Sequence, residues 1–162
     1  MVGIDTSRSF QPVNIAILTV SDSRTMETDK SGALLEGLAK EAGHSVVERR
    51  IVPDSQEQLD ECLRTWIAQP EVHVVLCTGG TGVTGRDITP EAVHALGGKD
   101  IPGFGELFRW LSFKNIGTST IQSRATAVVV EGTYVFALPG STGACRDAWE
   151  GILRCLLYTS PS

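Results

Sequence analysis

The sequence predicts an α/β protein, a three-layer α/β/α sandwich built on a mostly parallel sheet with one antiparallel edge. Three observations carry this expectation. Short apolar, β-branched runs alternate with longer segments whose apolar residues recur at helical spacing, the βαβα order of a parallel sheet. The runs at 13–20 and 72–78 are apolar almost throughout, as strands covered on both faces are. Two further β-branched runs, 125–130 and 133–138, are split only by Glu131-Gly132, a short turn that implies a hairpin.

Taken in order, residues 1–12 are polar without periodicity and read as a loose arm. VNIAILTV (13–20) reads as a central parallel strand, and Ser21-Asp22-Ser23-Arg24 follows at its carboxyl end. In an open α/β sheet ligands bind outside strand carboxyl ends, so Ser21, Asp22, Ser23 and Arg24 are candidate contacts, with a solvated loop as the alternative. Residues 29–42 place Leu34, Leu35, Leu38 and Ala42 at helical spacing before a Gly43 stop. A second strand is expected over 45–52, with His44 at its edge as surface structure. Pro53-Asp54-Ser55 follows, then a helix over 56–69 carrying Leu59, Leu63, Trp66 and Ile67. From position alone Asp54 reads first as that helix's N-cap. Pro70 ends the helix and 72–78 forms the third strand. A short helix over 90–96 stops at Gly97-Gly98, and 104–113 places Phe104, Leu107, Phe108 and Leu111 on one face, suited to core or subunit interface. After the hairpin, Pro139-Gly140-Ser141-Thr142-Gly143 repeats a glycine and hydroxyl turn between a strand and a closing helix over 144–157. One domain over 13–157 is expected, and 158–162 carry no pattern that assigns them.

Composition narrows the classes. The chain has 162 residues, 41% of them hydrophobic, enough for one well-buried domain. A formal net charge of −5 argues against general nucleic-acid binding, which needs a basic face. No apolar run approaches a membrane span, and MVGIDTSRSFQPV lacks the apolar core of a signal peptide, so a cytoplasmic protein is expected. Cys62, Cys77, Cys145 and Cys155 show no metal-finger spacing; reduced core thiols are favoured over disulfides or metal.

The richest stretch is VVLCTGGTGVTGRDITPEAV (74–93). A buried strand runs into Gly79, Gly80, Gly82 and Gly85, and Thr89-Pro90-Glu91 then reads as a helix start with Thr89 at N-cap. Such a turn aims backbone N–H groups and a positive helix end at an anion, while Thr78, Thr81 and Thr84 add hydroxyls. Arg86 and Asp87 add a cation and a metal-ligand candidate. This looks like a phosphate site. The plain alternative is a tight turn, which needs one or two glycines rather than four. Gly80-Thr-Gly-Val-Thr-Gly85 also fits the dinucleotide pattern, but it follows the third strand and lacks the acidic residue about twenty positions on. A P-loop is disfavoured because no Lys-Ser or Lys-Thr pair follows the last glycine.

With these motifs assembled, the chain resembles the molybdopterin-binding MoaB/MogA family of molybdenum cofactor biosynthesis proteins, shared with the G domain of gephyrin. The likeness rests on TGGTGVTGRDITPEAV from Thr78 and GFGELFRWLSFKNIGTSTIQSRA from Gly103, and covers roughly 13–156. It implies ATP-dependent adenylylation of molybdopterin, with Mg2+ held by two aspartates. One follows the second strand in an Ile-x-Pro-Asp pattern and falls on Asp54; the other falls on Asp87 in Arg-Asp-x-Thr-Pro. The resemblance thus moves Asp54 from cap to catalysis. It further implies that Gly79, Gly80, Thr81 and Gly82 fix nucleotide phosphates, and that Ser123 with Arg124, and Pro139, Gly140, Ser141 and Thr142, hold the pterin phosphate. Family members form trimers, or hexamers of two trimers, so a homo-oligomer is implied. The last turn has Ser141-Thr142 where catalytic A-type members have x-Pro. That B-type form keeps a non-catalytic molybdopterin-binding or scaffold protein as the alternative.

Overall fold

The computed structural model describes residues 3–159, so Met1, Val2 and the end of the expected tail (160–162) lie outside the described residues. Six strands form one sheet: β1 (Asn14–Val20), β2 (Ser45–Val52), β3 (Val74–Thr78), β4 (Lys99–Asp100), β5 (Thr126–Val130) and β6 (Thr133–Leu138). Their order is β2-β1-β3-β6-β5-β4, with β2, β1, β3 and β6 mutually parallel. Only β5 runs antiparallel to its neighbours, through the hairpin with β6 and a short pairing with β4. The expected fold class is the observed one. The two-residue β4 carries no periodic signal, since its strand character comes entirely from pairing with β5.

Why β1, β3 and β6 carry apolar residues on consecutive positions follows from the two cores. Ile15 and Ile17 of β1, Val74 and Leu76 of β3, and Phe136 and Leu138 of β6 all face one cluster. The intervening Ala16, Leu18, Val75, Cys77, Val135 and Ala137 face the other. Period-2 geometry sends each run to both sides, and each side is covered. Leu35 and Leu38 of α1 (Lys30–Glu41), Phe104 and Phe108 of α4 (Pro102–Ile116) and Cys145 and Ala148 of α5 (Thr142–Ala148) close the first face. Leu59, Leu63 and Trp66 of α2 (Gln56–Ile67) and Ala92 and Val93 of α3 (Thr89–His94) close the second. Helices α1 and α2 therefore lie on opposite faces although each adjoins β2 in sequence. The crevice between β1 and β3 is the switch point where open α/β sheets bind ligands.

Several local expectations are corrected. Ser55, not Asp54, caps α2, accepting from the Gln58 N–H at 3.3 Å. Ile88 occupies the N-cap position of α3; Thr89 is already helical, and its buried hydroxyl donates to the Gly79 carbonyl at 2.8 Å. The closing helix is interrupted by a wide π turn over Trp149–Leu153 before α6 (Arg154–Leu156), a local widening that apolar spacing does not reveal. The N-terminal arm is not loose where it meets the domain: Gln11 N–H donates to the Tyr158 carbonyl at 2.9 Å, and Phe10 packs on His44 and Tyr158. Cys62, Cys77 and Cys145 are buried free thiols. Burial pushes Cys62 and Cys145 up to about 11 and Cys77 higher still, so all three stay protonated. Among the described residues no helix is long and apolar enough to cross a membrane.

His44 was expected on the surface and is buried, at 5% exposure, with Nδ1 accepting the Val13 N–H at 3.0 Å. That bond requires an unprotonated Nδ1. Burial also pushes the group below its ordinary value of 6.5. A base with a depressed folded pKa contributes stability that is complete above the unfolded value and is lost as pH falls towards the folded one. The urea midpoint of the parent is therefore expected to drop as pH falls from near 6.5 to 5, and by less in His44→Gln, whose amide oxygen accepts at any pH. Equal slopes for the two proteins would remove His44 as the source.

Candidate functional site

Strand register assembles the site. Thr19 of β1 is level with Thr78 of β3, Thr78 with Leu138 of β6, and Val20 with Val52 of β2. The residues that follow (Ser21, Asp54, Gly79 and Pro139) consequently emerge along one edge. Two bonds join the central turns: Gly79 N–H donates to the Leu138 carbonyl at 2.9 Å, and the Thr78 hydroxyl to the Pro139 carbonyl at 2.9 Å. Both groups were expected to contact ligand; both instead weld β3 to β6. The N–H groups of Gly80 and Thr81 donate to no protein acceptor among the described residues.

The turn itself needs glycine at two positions. Gly79 has φ +104° and Gly80 φ +69°. A Cβ on Gly79 would lie 2.4 Å from the Val20 carbonyl oxygen, and one on Gly80 2.4 Å from Thr89 Oγ1. The strands approach here without room for a side chain.

Two carboxylates face this turn. A Cβ built on Gly80 would lie 3.3 Å from Asp54 Oδ1, and one on Gly82 2.7 Å from Asp87 Oδ2. Burial would raise the Asp87 pKa, but donation from the Thr84 hydroxyl and amide, the Gly82 amide and the nearby Arg124 charge hold it below the usual value. Asp54 moves the other way, raised by burial and by the charge of Asp87. Asp22 supports Asp54 from the β1 loop: its Oδ1 accepts the Asp54 N–H at 2.9 Å and its carboxylate pairs with Arg86. Arg86 thereby ties the glycine loop to the first loop and stays largely exposed, at 74%.

Two hollows flank the turn. The larger, about 560 Å³, lies between the turn, α4 and α5, and includes Gly79 to Gly82, Asp87, Ser123, Phe108, Ile116, Asn115 and Asp147. The smaller, about 370 Å³, opens over β1 and α1, with Ser21, Arg24, Lys30, Ser31 and Thr142. Gly79, Gly140 and Ser141 border both. Ser141 is also the N-cap of α5, accepting from the Ala144 N–H at 3.1 Å. Arg24 was among the expected contacts of the first loop; Lys30, Asn115 and Asp147 were not singled out from the sequence. Helices α4 and α5 meet through folding alone, with Asn115 Nδ2 donating to Asp147 at 2.8 Å. Arg124, expected on a phosphate, is turned instead to the carbonyls of Gly82 and Asp87 and to Glu91.

Comparison with known proteins identifies the family. Residues 16–159 match a family model described as a probable molybdopterin binding domain. The chain is 52% identical over 147 residues to molybdenum cofactor biosynthesis protein B of Escherichia coli K12, covering 91% of this chain and 86% of that one. It is 48% identical over 142 residues to the Bacillus cereus protein of that name, covering 87% and 84%. A crystal structure of molybdenum cofactor biosynthesis protein B superposes with a TM-score of 0.87 at 46% identity, covering 91% and 92%. That of the tungsten cofactor synthesizing protein MoaB from Pyrococcus furiosus gives 0.79 at 35% identity, covering 88% and 91%.

Because a Cβ on Gly79 would meet the Val20 backbone and one on Gly80 the Thr89 hydroxyl, both at positive φ, Gly79→Ala and Gly80→Ala should each cost about 2 kcal/mol or more in urea unfolding. Gly85, with open space around it, should tolerate alanine within about 0.5 kcal/mol. A Gly79→Ala protein as stable as the parent would contradict the close approach to Val20.

Proposed function

The chain belongs to the molybdopterin-binding domain family of molybdenum cofactor biosynthesis proteins, and from that premise we propose that it adenylylates molybdopterin with ATP and Mg2+. In this reaction a terminal phosphate oxygen of molybdopterin attacks the α-phosphorus of ATP. The new P–O bond gives adenylyl-molybdopterin, and the bond to the β-phosphate breaks to release pyrophosphate. The observation that carries the reading is the pair of carboxylates, Asp54 and Asp87, set against Gly80 and Gly82 of one turn.

The nucleophile is already an anion near neutral pH, so the site needs charge neutralisation and alignment more than a strong base. Asp54 and Asp87 suit a hard cation that takes one or two protein carboxylates, and the upward push of one by the other is a repulsion that a cation relieves. Bound there, Mg2+ would screen the approaching phosphates and polarise the α-phosphoryl group. The remaining work falls to the chain's own residues. The Gly80 and Thr81 N–H groups are available to phosphate oxygens. Phe108, Ile116 and Ala144 give the larger hollow an apolar wall suited to a flat heterocycle. Arg24 and Lys30 give the smaller one the charge to receive an anionic group. Since the two hollows meet at Gly79, Gly140 and Ser141, ligands seated in each would bring their phosphates together beside the aspartates.

We further propose that the protein acts as a homo-oligomer, a trimer or a hexamer of two trimers. The face expected to form the contact is partly inside the chain's own core, because Phe104 and Phe108 are buried. The opposite side of α4 supports the assembly better: Trp110, Phe113 and Ile116 are 59%, 55% and 55% exposed, and Ile121 beyond it 79%. Sedimentation should give a trimer or larger, and Trp110→Glu with Phe113→Glu should shift it towards monomer; a monomeric parent would contradict the assembly.

Purified protein with molybdopterin, ATP and Mg2+ should release pyrophosphate. Asp54→Asn and Asp87→Asn should each lower that rate about 100-fold or more with an unchanged circular-dichroism spectrum. Unaltered release in both variants would overturn the role of the aspartates. Molybdopterin binding without release in the parent would make the chain a holder of the pterin rather than a transferase.

A further inference from the structure

We infer that Arg124 and Glu91 form a brace that holds the loop between Gly82 and Asp87 in its working position, making both positioning residues and neither a phosphate ligand. For the reaction this rests on the adenylylation reading above; for the loop it does not.

One side chain spans both ends of the loop. Arg124 Nε donates to the Gly82 carbonyl at 2.6 Å, and Nη2 to the Asp87 carbonyl at 2.7 Å. The same guanidinium meets both oxygens of the Glu91 carboxylate, Nη2 at 3.1 Å and Nη1 more closely. Its backbone N–H also donates to the Thr81 carbonyl, at 2.9 Å. Carbonyls at three loop positions therefore answer to one residue. The brace is itself anchored, because Arg109 on α4 donates from Nη1 to the Ser123 and Ala125 carbonyls, at 3.2 and 2.9 Å.

Apart from the largely exposed pair of Arg86 with Asp22, the loop has little else to fix it. Residues 83–86 are all exposed, and its one apolar side chain, Val83, is 62% exposed. Its internal bonds are local: Asp87 N–H to the Thr84 carbonyl at 3.0 Å, and the Thr84 amide and hydroxyl to the Asp87 carboxylate. These keep the loop's shape but not its placement over the turn. Placement comes from the planar fork of Arg124, whose orientation is set by the two-pronged contact with Glu91. Lysine carries the charge without the fork, and its three donors sit on one nitrogen that cannot span acceptors that Arg124 meets from Nε, Nη1 and Nη2. Glu91, on α3, is half-exposed and absent from both hollows. An effect of changing it on catalysis would have to pass through the loop.

The test uses Glu91→Gln, Arg124→Lys and Arg124→Ala in the full chain. In the ligand-free proteins, amide hydrogen exchange at Thr84, Asp87 and Arg124 should quicken by about tenfold or more, the effect of losing charge-assisted bonds. In the pyrophosphate assay, kcat of Glu91→Gln should fall about 10- to 100-fold. Its KM for molybdopterin should stay within about twofold, and Arg124→Lys should do no better than Arg124→Ala. A silent Glu91→Gln, or an Arg124→Ala that raises KM at constant kcat and is restored by lysine, would make Arg124 a ligand and overturn the brace. A parent without pyrophosphate release would remove the reaction alone. Exchange rates unchanged in all three variants would remove the brace whatever the activity.

Discussion

The Gly79 N–H donated to the Leu138 carbonyl, beside the Thr78 hydroxyl donated to the Pro139 carbonyl, fixes where two separate turns meet. Strand pairing alone would bring β3 and β6 level at Thr78 and Leu138 and then let the chains diverge. These two bonds carry the alignment past the sheet, so that Gly140 lies against Gly79 closely enough that a Cβ there would stand 3.3 Å from the Gly79 Cα. Both hollows are bordered by this junction. Loosening it would separate them, whatever the residues further out.

The constraint explains the economy of charge around the site. The chain as a whole is acidic, at −5, yet Arg24 and Lys30 border one hollow and Arg86 and Arg124 stand behind the turn. The last two contact protein: Arg86 pairs with Asp22, which in turn accepts the Asp54 amide, and Arg124 holds the backbone on either side of Asp87's loop. Each of the two aspartates facing the turn thus has a cation one contact removed. Such a cation orders the backbone near the carboxylate without pairing directly with its oxygens.

How much of this was legible depended on what each residue's signal was about. The continuous apolar runs reported burial on both faces, and Ile15, Val75 and Phe136 fulfil it because each strand feeds two cores. The glycine turn was legible because conformations such as those of Gly79 and Gly80 leave a compositional mark. Single-residue roles were less so. Asp54 and Ser55 are both good caps by type, and only geometry shows that Ser55 takes the position and leaves Asp54 facing Gly80. His44 is polar by composition yet serves as a buried acceptor for Val13, thirty-one positions away. Arg124 beside a serine suggested a phosphate clamp, because an arginine's type says what it can hold and not which of several oxygens lies nearest. The hollow's far wall, Asn115 with Asp147, comes from two helices whose meeting no local pattern encodes.

The opposed environments of the two aspartates suggest a division of work. Asp87 accepts from the hydroxyl and amide of Thr84 within its own loop and is held ionised, a fixed negative point beside the larger hollow. Asp54 has its backbone held by Asp22, but its carboxyl is pushed towards the neutral form by burial and by Asp87. Two like charges at one turn repel each other and would be reconciled by a divalent cation between them, so under the proposed adenylylation the same repulsion that raises Asp54 would favour a metal-loaded nucleotide. Holding Asp87 rigid matters for that reason: if its loop could swing outward, the strain would relax by movement rather than by binding.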